Sequence, residues 1–162
     1  MNTVINDINT IKQQLLGDSE LLPSSLCLQL ADYRLSLRSN SARFMQRMQT
    51  YFAHVLVPSC DQVQAEVIAV EADVVNAGVE FVDWKREPGK TGRKDSYYDF
   101  DGGRLVRKVR TGMVFLQSQT QRIAAGPCIR YDNQVINFIN AQYMNWLQNR
   151  RSEEHTSELQ SL

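Results

Sequence analysis

Two short runs of strict alternation, Leu26-Leu28-Leu30 and Tyr33-Leu35-Leu37, are separated by only Ala31-Asp32. Side chains along a strand point to opposite faces in turn, so each run predicts a half-buried strand, and the brief gap predicts an antiparallel hairpin. Residues 64–71, Val79 to Trp84, Tyr97 to Phe100 and Arg104 to Leu116 also read as strands. Asp101-Gly102-Gly103 is a hairpin signal between the last two. A short strand near Arg122 to Ala125 ends at Gly126-Pro127.

Helical spacing occurs in three places. Ile5, Ile8, Ile11, Leu15 and Leu16 form one stripe, closed by Gly17. Phe44, Met48, Tyr51 and Phe52 form a second, with Ser39 or Asn40 placed to cap its free amides. Val135, Ile139, Tyr143 and Trp146, widened by Ile136 and Leu147, form a third, from Asn133 to about Asn149 behind an Asp132 cap. Strands outnumber helices and do not alternate with them regularly. The predicted class is α+β, an antiparallel-rich sheet with a few flanking helices.

The end of the chain reads differently. Residues Arg151 to Ser161 resemble the translation, in one frame, of a DNA sequencing adapter. Residues 151–162 are therefore expected to be a non-native tail, beside an N-terminal helical arm at 1–24 and an α+β region at 25–150. Without the tail, 17 basic residues face 15 acidic ones and His54 is the sole histidine, which excludes a site built on several histidines. The start lacks the basic and apolar segments of a signal peptide, no run is long enough to span a membrane, and a cytoplasmic location follows by default. Cys27, Cys60 and Cys128 lie far apart with no C-x-x-C spacing, so reduced, buried thiols are expected.

Charge is concentrated in one stretch. Between Lys85 and Arg110 nine basic residues stand against four acidic ones. Lys90, Thr91, Arg93 and Lys94 sit in a glycine-containing loop, and Arg107, Lys108 and Arg110 in the strand after it. On a continuous strand Arg104, Lys108 and Arg110 would share a face able to hold a phosphate or an acidic or phosphorylated protein. Asn133, Gln134 and Asn137 add amides on the closing helix that can bond a ligand. Gly89-Lys90-Thr91 mimics the end of a Walker A loop, but Trp84 stands where the motif needs its first glycine. Near-neutral charge and the lack of a recognition motif disfavour nucleic acid.

Several strings together resemble one family: Arg38-Ser39-Asn40-Ser41, Trp84 to Lys94, Val106 to Met113, Gly126-Pro127-Cys128 and Asp132 to Asn140. They are similar to HPr kinase-related proteins, in particular the group called HprK-related kinase B. The resemblance covers roughly Leu26 to Arg150. It implies the N-terminal portion of a P-loop kinase resembling HPr kinase and phosphoenolpyruvate carboxykinase, which binds ATP and Mg2+ and phosphorylates a hydroxyl. In that family the glycine-rich GKS/T loop comes later than any residue here. The expected partner is thus a C-terminal P-loop region of the same protein; no catalytic residue, ATP or metal site is expected in this chain, nor activity from it alone. The closing helix would then pack partly on absent residues and leave an apolar patch exposed. The alternative is a non-enzymatic module that docks an acidic or phosphorylated partner through the basic loop.

Overall fold

The computed structural model describes residues 7–84 and 95–160, with side chains to Glu153. Helix α1 is Ile8–Leu16, α2 is Ala42–Tyr51 and α3 is Asp132–Gln160. The strands are β1 (Leu26–Leu30), β2 (Tyr33–Ser39), β3 (Leu56–Val57), β4 (Ala65–Glu71), β5 (Val82–Asp83), β6 (Ser96–Phe100), β7 (Gly103–Arg107), β8 (Val114–Ser118) and β9 (Arg122–Gly126). They form one sheet in the order β3-β1-β2-β4-β9-β8-β7-β6-β5. The protein is α+β.

The sheet is mixed rather than antiparallel-rich. Strands β2, β4 and β9 run parallel at its centre, with Leu37 opposite Val67 and Ala69 opposite Ala124. The physical sign is burial on both faces: β4 carries Val67-Ile68-Ala69-Val70 in succession, the continuous apolar run of a covered parallel strand. Alternation divides these side chains between two cores. Leu35, Leu37, Val67, Ala69, Phe115 and Ala124 pack against Phe44 and Met48 of α2 and Val135 and Ile139 of α3. Ile68, Val70, Leu105, Val114, Leu116 and Ile123 pack on the opposite face against Ile11 and Leu15 of α1.

Local chemistry sets the helix ends. The Asp7 carboxylate accepts from the Thr10 amide at 2.8 Å, and Gly17 closes α1 with φ +55°. Ser41, not Ser39 or Asn40, caps α2, its hydroxyl accepting from the Phe44 amide at 3.1 Å. Ser39 Oγ instead accepts from the Ser41 amide, and Asn40 reaches across to β4, where its side chain exchanges two hydrogen bonds with the Glu71 backbone. The buried stripe of α2 is Phe44, Met45 and Met48, continued by Phe52 just past its end; Tyr51 is half exposed.

Helix α3 runs past Asn149 to Gln160, because no glycine or proline interrupts it. Part of its stripe is covered within this chain. Val135, Ile136 and Ile139 are buried on this chain's own sheet, and Tyr143 and Trp146 pack at a tilt against Tyr33, with Tyr33 to Trp146 centroids 5.2 Å apart.

Two of the cysteines are not free. Cys27 on β1 and Cys60 after β3 form a disulfide, with Cα atoms 5.2 Å apart, inside the range such a bond requires. Their separation of 33 residues hid the pairing; the β1–β3 ladder, with Cys27 opposite Val57, brings them together. Cys128 is free and fully buried, and its thiol donates to the Val70 carbonyl at 3.3 Å. Burial, and then the Glu71 charge, push that thiol far above its usual range, so it is a poor nucleophile. In air-oxidised protein a thiol-specific chromogenic reagent should therefore find no reactive group in the folded chain. It should find one after denaturation and three after denaturation with reductant. A thiol that reacts readily in the native state would contradict this arrangement.

Candidate functional site

The basic face expected from the sequence is divided and neutralised. Arg104 to Leu116 is not one strand but a hairpin, in which Lys108 and Met113 bracket a turn through Gly112 at φ +78°. Arg110 lies exposed in that turn rather than on the strand. Arg104 is held by Asp99, with its Nη2 3.0 Å from Oδ2, and lies over the rings of Tyr97 and Trp84. This hydrogen bonding holds the Asp99 carboxyl below its ordinary range. Lys108 Nζ donates to Asp95 Oδ2 at 2.7 Å. Arg107 points to the opposite face, donating to Ser96 Oγ and lying 4.6 Å from the centre of the Phe81 ring. Lys90, Thr91, Arg93 and Lys94 lie outside the described residues.

Four of the candidates do meet. Lys108, Asn133, Gln134 and Asn137 line a groove of about 570 Å³ between the β7–β8 hairpin and α3, floored by Val106, Phe115 and Phe138. The Gln134 side chain accepts from the Thr111 hydroxyl at 3.1 Å. At the lower end Gln117 and Gln142 exchange amide hydrogen bonds of 3.0 and 2.7 Å, and Arg122 Nε donates to Gln142 Oε1 at 3.1 Å. Gln142 is only 3% exposed. Its replacement by leucine would leave Gln117 and Arg122 with unmet polar groups. The Gln142→Leu protein should lose about 1–3 kcal/mol in denaturant unfolding; an unchanged midpoint would show that this network carries no stability.

A second cavity, of about 590 Å³, opens where β2, β4 and β9 end. All three parallel strands deliver their carboxyl ends here, and the helices that follow two of them, α2 and α3, begin beside it. In sheets of this kind ligands bind outside the carboxyl ends of the strands. The crevice is lined by Arg43, Arg47, Arg130, Glu71, Asp73 and Thr111, with Pro127, Ile129 and Tyr131. Arg47 Nη1 donates to the Ile129 carbonyl at 3.1 Å and to Asp132 Oδ2 at 3.3 Å. Glu71 Oε2 accepts from the Ile129 amide at 3.0 Å. The Arg130 guanidinium lies 5.4 Å from the Tyr131 ring centre. Arg43 is exposed and has no side-chain partner among the described residues.

Comparison with family models, with curated proteins and with solved structures finds no match to this chain.

Sequence reasoning missed this cluster, although a signal was there. Arg43 and Arg47 are four apart at the start of a helix that directly follows a strand, and Arg130 stands two residues before the next helix. Spacing of four places the pair on one helix face. What it cannot show is that residues 83 positions further on fold against the same ends.

Proposed function

We propose that this chain is the acceptor-side portion of an ATP-dependent phosphotransferase of the HPr kinase-related kind. The crevice at the ends of β2, β4 and β9 would receive the group that is phosphorylated or that directs the acceptor. The observation that carries this reading is the convergence of three arginines on the carboxyl ends of three parallel strands, the position at which such sheets hold their ligands. The resemblance of the strings around Arg38, Trp84, Val106 and Asp132 supports the choice of reaction class.

The described residues do not offer a nucleotide cradle. A triphosphate needs a glycine-rich backbone loop between a strand and a helix. Here β2 passes to α2 through Asn40-Ser41 alone, and β9 passes to α3 through Pro127-Cys128-Ile129-Arg130-Tyr131. The first connection has no glycine and the second only Gly126 at its head, so no step through ATP or Mg2+ is proposed in this chain. Its own residues bind and orient an acceptor.

With labelled ATP and Mg2+, the 162-residue chain should release no phosphate above buffer. The chain joined to the sequence that follows codon 150 in its natural gene should transfer the label to a hydroxyl. If that sequence contains no GKS/T loop and the longer protein transfers nothing, the kinase reading fails. A non-enzymatic module for an acidic or phosphorylated partner would then stand.

A further inference from the structure

We infer that the crevice binds a compact phosphoryl oxyanion, inorganic phosphate or a phosphate monoester, through Arg43 and Arg130, with Arg47 holding the loop that carries Arg130. This deepens the proposed function, since it names the ligand class of the same cavity, but its test is separate.

The roles follow from how each side chain is held. Arg47 is tied to the Ile129 carbonyl and to Asp132, so its position is set before any ligand arrives. Arg43 has its five N–H donors unengaged by side chains among the described residues. Arg130 has its guanidinium against the Tyr131 ring, which orients its plane without using its hydrogen-bond donors. Two arginines with free forked donors suit the tetrahedral oxygens of a phosphoryl group.

Charge sets the upper limit on the ligand. Three guanidiniums and two carboxylates, Glu71 and Asp73, line the cavity, and Asp132 at its edge pairs with Arg47, so the crevice as a whole has no large excess of charge. The two arginines that would meet the ligand, Arg43 and Arg130, carry two positive charges between them, which matches a ligand with one or two negative charges. A triphosphate, with about four, would bring the surplus against the carboxylates. A volume of about 590 Å³ exceeds that of the bare ion and leaves room for the group that an ester carries.

The test uses the full 162-residue chain, titrated by calorimetry and by amide shifts with inorganic phosphate, phosphoserine, ATP and acetate at constant ionic strength. Saturable phosphate binding is expected, with shifts confined to residues 43–47, 71–73 and 127–131. Arg43→Ala and Arg130→Ala should each weaken it about tenfold, the size of one lost charge-assisted pair. Arg110→Ala, at the β7–β8 turn, should leave it unchanged, and the melting temperatures of all three should match the parent. Tighter binding of phosphoserine assigns the site to an ester; equal binding assigns it to the free ion. The inference is overturned if no phosphate binding saturates, if acetate or ATP binds as well as phosphate, or if Arg110→Ala weakens binding as much as Arg43→Ala. Phosphate binding without ATP-dependent transfer by the extended protein would remove the kinase reading alone. Transfer with an unresponsive crevice would remove this inference alone.

Discussion

Phe44→Ala should destabilise the protein by about 3–5 kcal/mol, the range for removing a large aromatic ring from a close-packed core. Phe44 has no exposed surface and belongs to the cluster that fixes α2 on the sheet with Met48, Leu37 and Val67. Folded domains are stable by only about 5–15 kcal/mol, so this single change should consume a large share of the total. In a chain of this size it should lower the melting temperature by roughly 10 °C or more. A second effect separates this site from other core positions. Phe44 adjoins Arg43 and lies one turn from Arg47, so a loosened α2 should weaken phosphate binding at temperatures where the sheet is still folded. Circular dichroism melts and phosphate titration on the same sample measure both. A drop below 1 kcal/mol would mean that α2 is not anchored as described.

Gly126→Val is expected to be comparably severe, by about 2–5 kcal/mol, for two additive reasons. The residue has φ +136°, which side-chain-bearing residues rarely adopt, and an added Cβ would meet Met113 Sδ at 2.8 Å and Met113 Cα at 3.2 Å. The same residue turns the chain from β9 into the crevice loop, its carbonyl accepting from the amides of Ala72 and Cys128 at 2.9 and 2.7 Å. Gly17→Ala isolates the conformational part: its φ is +55° with nothing within 4 Å of the new carbon, so only about 1–2 kcal/mol should be lost. Urea unfolding of the two variants side by side decides the matter. If Gly126→Val costs no more than Gly17→Ala, the contact with Met113 gives way and the packing argument is wrong.

The difference between these two glycines is also the difference between what could and could not be read in advance. Gly17 was legible as a helix stop because the stripe before it ends there. Gly126 was legible as a chain break, but its close approach to Met113 depends on β8 and β9 pairing. The same division runs through the candidate site. Asn133, Gln134 and Asn137 share a groove with Lys108, and their helix was visible in its periodicity. The basic face was not realised: Asp95 and Asp99 engage Lys108 and Arg104, and a turn through Gly112 puts Arg110 elsewhere. The arginine crevice stayed hidden because Arg43 and Arg130 meet only when β2 and β9 lie on either side of β4.

Residues within about ten positions of one another settled the β1–β2 and β6–β7 hairpins, the amphipathic faces of the helices and the places where they stop. These features arise from side-chain period and turn chemistry, which act along the chain. Contact between distant segments settled the rest: the parallel centre of the sheet, the Cys27–Cys60 bond, and the cavity at the strand ends. Burying the apolar runs of β4 and β9 on both faces selects their neighbours, and that choice is made between surfaces that no local window of sequence contains.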